Sequence, residues 1–173
     1  MITRILSLFA VLAVALSTTV SQTAQSPWRP ATEDELKRVI PVRAPVEKER
    51  IETEMRTASG ITNGKAVVAG VVLITAGYSA DGKYSHFLTT QAPLEIGSMK
   101  LEPGNYVFGW KKNADSLTVR FYGAQSGEFL GTAEAVRNSR IGKIESFHIY
   151  PPGDKSSFQI GRFAFSYRIR ERS

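Results

Sequence analysis

Two histidines are the residues of this chain best suited to acid–base chemistry near neutral pH. His86 and His148 are its only histidines, and the ordinary pKa of histidine lies in that range. A general base or a metal site would need both side chains close together and beside a carboxylate. The sequence contains neither a His-x-His pair nor a His-Glu-x-x-His motif. We therefore expect each histidine to lie half-buried on a strand, with a small hydrolase that uses one of them as the alternative.

No other motif indicates catalysis or a cofactor. The chain has no cysteine, which excludes a disulfide, a thiolate zinc site, a cysteine nucleophile and a lipid-anchored cysteine. It has no Gly-x-Ser-x-Gly elbow, no phosphate-binding glycine loop and no Ser-x-x-Lys motif. We accordingly expect neither a cofactor nor a metal ion.

The aromatic stretch from Leu101 to Tyr122 predicts a β-hairpin with a candidate ligand site near its tip. Aromatic residues occupy every second position of its first strand, as in a strand with one buried face. We expect Tyr106 and Phe108 to belong to the core, because aromatic side chains fill a core face efficiently. Trp110 lies next to the turn, where its ring is equally able to stack on a sugar or another apolar ligand. The candidate ligand-binding residues are Trp110, Lys111, Lys112, His86 and His148.

Arginines recur at the carboxyl-terminal end of the chain. In the segment Ser157–Arg170 the aromatic residues alternate with other residues, and the phase of this alternation changes at Gly161, which predicts a β-bulge. The outer face of such a strand is suited to an anionic partner such as a phosphate-rich surface or an acidic polysaccharide. We favour instead a solvated face whose charges discourage edge-to-edge aggregation. The arginines concerned are Arg162, Arg168, Arg170 and Arg172.

The chain from Lys65 onward has the pattern of an all-β domain. Short β-patterned segments and turns follow each other at intervals of about eight to twelve residues. The longest apolar run, Ala66–Tyr78, is continuous rather than alternating, which predicts a central strand covered on both faces. We predict an antiparallel β-sandwich or barrel of about seven or eight strands over residues 65–173.

A linker and a helical segment precede this domain within residues 25–64. Thr32 and Glu35 have the spacing of a capping box, and Pro41 ends the helix that they begin. The charge-dense segment Val46–Thr57 is a second possible helix with few apolar residues. If this segment folds only on contact with another chain, the protein would have a structural or assembly role.

Residues 1–24 have the pattern of a secretory signal peptide. A short positive start is followed by the apolar run Ile5–Leu16 and then by small residues suited to a signal peptidase. The run is short for a transmembrane helix, and no second apolar run of membrane length follows. We expect an exported protein, periplasmic or secreted, without a stable membrane span after cleavage. An uncleaved anchor is the alternative.

The net charge is positive but does not indicate a nucleic-acid partner. Removal of the signal removes Arg4, its only charged residue, and lowers the formal charge from +6 to +5. The remaining basic residues are scattered along the chain, and an exported protein seldom meets nucleic acid. We therefore expect no nucleic-acid partner.

The segment Leu101–Gly109, LEPGNYVFG, resembles the L-x-P-G-x-Y turn and strand of transthyretin-like and carboxypeptidase-regulatory-like β-sandwich modules. The order of a signal peptide, the helix DELKRVIP (Asp34–Pro41) and a β domain is also similar to exported proteins of soil bacteria. The resemblance implies a sandwich and export. Transthyretin-related hydrolases end in Tyr-Arg-Gly-Ser, whereas here Ile169 follows Tyr167-Arg168. The resemblance therefore implies no transferable activity.

These patterns predict an exported, non-enzymatic β-sandwich module that binds a ligand or a protein partner in the bacterial envelope. The well-patterned β region and the lack of a catalytic motif are the basis of this prediction. The alternatives are the small secreted hydrolase and the structural or assembly protein of the envelope.

Overall fold

The computed structural model describes residues 27–139, 142–153 and 156–170, which form a mainly antiparallel β-structure. The predicted signal peptide lies outside the described residues, as does Arg172. In the part of the chain that is described, no helix is both long and apolar enough to cross a membrane. The prediction of a mainly β fold with a short amino-terminal helix is confirmed.

One helix and fourteen strands lie within these ranges, which is more strands than predicted. The helix α1 spans Glu33–Val39. The strands are β1 (Arg29–Pro30), β2 (Arg43–Val46), β3 (Glu49–Thr62), β4 (Val67–Ile74), β5 (His86–Thr90), β6 (Leu94–Ile96), β7 (Met99–Leu101), β8 (Gly104–Lys112), β9 (Ser116–Gly123), β10 (Phe129–Arg137), β11 (Glu145–Ile149), β12 (Ser157–Gly161), β13 (Phe163–Ser166) and β14 (Arg168–Ile169).

Eleven strands form one antiparallel sheet that closes almost into a barrel. Their order is β1-β3-β4-β5-β8-β9-β10-β13-β12-β11, and β2 pairs with β3 beside this path. The last strand, β11, packs against β3. At this seam the Ile149 backbone N–H donates a hydrogen bond to Ser59 Oγ (2.9 Å), so a side chain joins the two strands. A second, smaller sheet has the order β14-β6-β7.

Two apolar clusters cover the two faces of the main sheet. The inner cluster is rich in phenylalanine, and its rings contact one another: Phe108, Phe121, Phe147, Phe158 and Phe165. The outer cluster lies where α1 packs against β3 and β4, and it includes Leu36, Ile51 and Val71. Burial of these apolar side chains is the main favourable term in folding.

The predicted capping box of α1 is confirmed. Thr32 Oγ1 accepts a hydrogen bond from the Glu35 backbone N–H (3.3 Å), and the Glu35 carboxylate accepts one from the Thr32 backbone N–H (2.8 Å). Arg29 pairs with the same carboxylate at 2.7 Å. Arg29 and the Thr32 backbone, by their hydrogen bonds, lower the pKa of Glu35 to about 2. These contacts satisfy the first backbone donors of a helix that is only two turns long.

The second possible helix, over Val46–Thr57, is wrong, because these residues form the β2–β3 turn and most of β3. Burial alternates there, with Ile51 and Thr53 buried between more exposed neighbours. β3 pairs with β2 and with the apolar strand β4. The pairing with two strands stabilises this segment more than its helix-favouring charges do. Arg43 and Glu52 then pair across the hairpin (2.8 Å).

The expected bulge at Gly161 is instead a tight turn between β12 and β13. These strands pair antiparallel, with Ile160 opposite Phe163. Gly161 and Arg162 form the two-residue connection, and Gly161 has a φ of +58°. Residues that face each other across a hairpin share one side of the sheet. A two-residue turn therefore shifts the alternation along the chain in the same way as a bulge.

The predicted central hairpin is confirmed as β8 and β9. Phe108 lies opposite Phe121, and Trp110 lies opposite Val119. The predicted central strand is β4, which lies between β3 and β5 and is largely buried. Its Gly70 is needed for packing, because a Cβ there would lie 2.6 Å from the ring of Phe147.

Candidate functional site

His86 is a core residue, buried more deeply than the half-buried position predicted for it. It is 3% exposed, and its ring stacks on Phe108 with 4.7 Å between the ring centroids. Phe147 lies on another side at 5.2 Å, and Nδ1 lies 2.8 Å from the Ser85 hydroxyl. Burial lowers the pKa of His86 to about 3, and the Ser146 backbone partly opposes this shift. His86 is thus neutral near pH 7 and out of reach of a ligand in solvent.

His148 lies at the seam between β11 and β3, where two side chains approach the same ring nitrogen. Its Nδ1 is 2.8 Å from the Glu145 carboxylate and 3.5 Å from Ser59 Oγ. The ring of Tyr150 packs against the imidazole, with 4.4 Å between centroids. The imidazole is half-buried, as predicted.

The serine, histidine and glutamate at this seam do not have the geometry of a catalytic triad. In a triad the acid holds Nδ1 and the serine contacts Nε2, so that a proton can pass from the hydroxyl to the ring. Here Ser59 and Glu145 both approach Nδ1 of His148. Ser59 is also 8% exposed, and its Oγ accepts the Ile149 N–H. The arrangement joins β3 to β11 and presents no exposed nucleophile.

The tip of the central hairpin is open to solvent. Trp110 is 45% exposed, and Lys111 and Lys112 are also exposed. Neither lysine forms an ion pair with a described residue. Ligand binding at these three residues stays a prediction. His86 and His148 belong to the core and the seam, so the structure does not bring the five candidate residues into one site.

A cleft of about 800 Å³ lies elsewhere, against the carboxyl end of β10. The strands β13 and β14, the start of β12 and the loop before β7 also contribute to its lining. Its charged lining residues are Arg137, Arg168 and Glu95. Tyr150, Phe165 and Tyr167 supply an aromatic wall. Polar groups that converge on an aromatic wall are typical of a ligand site.

Partly buried hydrogen bonds hold the two tyrosines of this wall in place. The Tyr167 hydroxyl donates to the Tyr150 carbonyl (2.6 Å), and burial raises the pKa of Tyr167. The Tyr150 hydroxyl donates to the side-chain carbonyl of Gln159 (2.8 Å). The amide nitrogen of Gln159 in turn donates to the carbonyls of Lys143 (2.9 Å) and Gly161 (2.8 Å). These bonds fix the hydroxyl ends of the two tyrosines of the wall.

The two arginines of the cleft are available for a ligand. Arg137 and Arg168 are both exposed, and neither forms an ion pair with a described residue. The Arg137 guanidinium lies 5.7 Å from the centre of the Phe163 ring, a contact that limits its freedom. Of the other predicted stripe residues, Arg162 is exposed in a turn and Arg170 pairs with Glu102.

A second polar cluster fixes the β2–β3 turn to the outer face of the sheet. Glu47 has a φ of +51°, a conformation that glycine usually adopts. Its carboxylate accepts hydrogen bonds from Lys83 (2.7 Å) and from the Tyr84 hydroxyl, and these bonds lower the pKa of Glu47. Gly127 leaves room for it, because a Cβ at 127 would lie 2.7 Å from the Glu47 carboxylate oxygen. The charges of Glu47 and Lys83 pair with each other, so this cluster holds the β2–β3 turn in place.

No group of three or more histidine, cysteine, aspartate or glutamate side chains within the described ranges is placed to hold a metal ion. No protein-family model matches the chain, and neither a curated protein nor a solved structure matches it. The geometry of the site is therefore the basis for any functional conclusion.

Proposed function

We propose that this protein is an exported, non-enzymatic binding module of the bacterial envelope, and that its ligand occupies the cleft beside β10. The observation that carries the proposal is the cleft itself. Its volume of about 800 Å³ lies within the usual range for small-molecule sites, about 300–1,000 Å³. Arg137 and Arg168 face it without an ion-pair partner among the described residues, and partly buried hydrogen bonds hold the two tyrosines of its aromatic wall.

The state of the two histidines favours binding over catalysis. His86 is neutral and enclosed by phenylalanine rings, so it has no access to a substrate. His148 presents Nδ1 to both Ser59 and Glu145, which leaves no relay from a nucleophile to an acid. A hydrolase that uses either histidine would need a different arrangement of these groups.

The packing of one segment counts against the assembly role. That role required the segment from Glu47 to Arg56 to be available as a helix for another chain. The segment instead lies in the β2–β3 turn and in β3, and Ile51 is fully buried in the outer cluster.

Export is compatible with the way the fold begins. Trp28 packs against the inner cluster, and β1 pairs with the end of β3. A cut after Ala24 would leave both contacts intact. The chain has no cysteine, so export through an oxidising compartment carries no risk of mispaired disulfides.

Nuclear magnetic resonance tests the binding role directly. The labelled protein, residues 25–173, is titrated with the small-molecule fraction of a bacterial envelope extract. We expect shifts of the backbone amide signals of Arg137, Tyr150, Ser157 and Ser166, which line the cleft. Shifts confined to the tip of the central hairpin would move the site to Trp110, and an unchanged spectrum would contradict the proposal.

A further inference from the structure

We infer that the ligand of the cleft is an acidic oligosaccharide, whose carboxylate, sulfate or phosphate groups contact Arg137 and Arg168. This inference rests on the proposed binding function and specifies its ligand. The described lining residues include two arginines and one glutamate, a net charge of +1. Because neither guanidinium forms an ion pair with a described acid, an anionic group gains more binding energy beside it than a neutral group does.

The two arginines reach the cleft from different sheets. Arg137 ends β10, and Arg168 begins β14 in the second sheet. The planar fork of a guanidinium matches the oxygen pair of a carboxylate, a sulfate or a phosphate. Arg137 is already held over Phe163, so less side-chain freedom is lost when it binds.

The rest of the lining has the groups that bind sugars. Three lining serines, Ser139, Ser157 and Ser166, face the cleft, whereas the hydroxyl of the fourth, Ser156, already bonds to the Gly153 backbone. Serine hydroxyls both donate and accept hydrogen bonds, as the hydroxyls of a sugar do. Val136, 54% exposed, and the ring of Tyr150 offer apolar surface to the carbon-bearing faces of sugar rings. A simple inorganic anion would leave most of these groups without contact.

Glu95 sets a limit on how the acidic groups are arranged. It also lines the cleft, and it lies opposite Arg168 across the β14–β6 pair. An acidic group beside Glu95 would be repelled. We therefore expect the acidic groups of the ligand to lie towards Arg137 and the outer side of Arg168, and the hydroxyls to lie near Glu95.

The test compares three oligosaccharides of similar length by isothermal titration calorimetry and amide shifts. They are oligogalacturonate, which carries carboxylates, a heparin-derived hexasaccharide, which carries sulfates, and neutral maltohexaose. The cleft variant is R137Q/R168Q. The control variant, R38Q/R120Q, loses the same charge at two exposed arginines outside the cleft. All four substituted residues are exposed, so we expect every variant to fold.

We expect at least one acidic oligosaccharide to shift the cleft amides, and R137Q/R168Q to bind it at least tenfold more weakly than the wild type. The affinity of the control variant for the same oligosaccharide should fall less than threefold, since only the general attraction to a basic protein is reduced. An equal loss in both variants would show nonspecific attraction and overturn the inference. Equal cleft binding of maltohexaose would also overturn it, but would leave the proposed binding function intact. If none of the three shifts the cleft amides, the inference fails, and the envelope-extract titration alone decides the binding function.

Discussion

Burial of His86 should make the stability of this protein unusually sensitive to acid. The folded state keeps the imidazole neutral between Phe108 and Phe147, and burial lowers its pKa from 6.5 to about 3. The unfolded chain exposes the same ring and takes up a proton below about pH 6.5. The contribution of neutral His86 to the free energy of unfolding is therefore complete above that pH. This contribution is lost as the pH falls from about 6.5 towards 3.

The expected magnitude follows from the difference between the two pKa values. Each pKa unit corresponds to about 1.4 kcal/mol, so the full loss approaches about 5 kcal/mol near pH 3. At pH 5 only the interval from pH 6.5 to pH 5 contributes, which corresponds to about 2 kcal/mol. That is a large fraction of the stability of a typical domain, about 5–15 kcal/mol.

Urea unfolding of the wild type and of His86→Phe at pH 8 and at pH 5 measures this loss. The variant retains an aromatic ring and removes the titrating group. The carboxylates titrate in both proteins, so their contribution cancels in the difference. We expect the free energy of unfolding of the wild type to fall by about 2 kcal/mol more than that of the variant.

A second variant separates titration from packing. His86→Leu also removes the titrating group but fills the space differently, so its stability at pH 8 should differ from that of His86→Phe. Its pH dependence should nevertheless match that of His86→Phe. If the wild type and both variants lose the same stability between pH 8 and pH 5, the reasoning about His86 is refuted.

Two further substitutions test the closure and the packing of the sheet. Ser59→Ala removes the hydroxyl that accepts the hydrogen bond of the Ile149 amide at the seam. This substitution should lower the free energy of unfolding by about 1–2 kcal/mol and speed the hydrogen exchange of that amide. An unchanged exchange rate would show that water replaces the contact. Gly70→Ala places a Cβ 2.6 Å from the Phe147 ring and should cost about 1–3 kcal/mol in thermal or urea unfolding. Gly142→Ala is the matched control, because open space surrounds that position, and it should change stability by less than about 0.5 kcal/mol. Equal effects of the two glycine substitutions would contradict the packing argument.

Local patterns predicted the elements whose stabilising contacts are close in sequence. The alternation along β8 and β9 was sufficient to predict the hairpin, because the two strands are joined by a short turn and present one aromatic face. The spacing of Thr32 and Glu35 was sufficient to predict the start of α1, because the two residues satisfy each other's backbone groups within one helical turn. In both cases the sequence neighbour is also the spatial neighbour.

The prediction of a helix from Val46 to Thr57 was wrong for the opposite reason. Its charges favour a helix locally, but β4 supplies an apolar partner strand that the local pattern did not include. Non-local pairing overrides modest helix propensity. Gly161 was ambiguous because a bulge and a two-residue turn shift the alternation equally.

The cleft could not be predicted from local patterns. Arg137 and Arg168 are 31 positions apart in sequence, and the order of β10, β13 and β14 brings them to one cleft. The sequence indicated that Arg168 lies on an exposed face, but gave no reason to associate it with Arg137. The burial of His86 likewise depends on Phe147, which β11 contributes from across the inner cluster.

The most direct test of the central claim is to fill the cleft. Val136 lines it and is 54% exposed, so Val136→Trp should occupy the site without disturbing the core. Val42, 76% exposed and outside the cleft lining, provides the control Val42→Trp. We measure retention of envelope-extract components by each immobilised protein, with mass spectrometry of the eluate. We expect the wild type and Val42→Trp to retain the same small-molecule component and Val136→Trp to lose it. Equal retention by all three proteins would contradict ligand binding in the cleft.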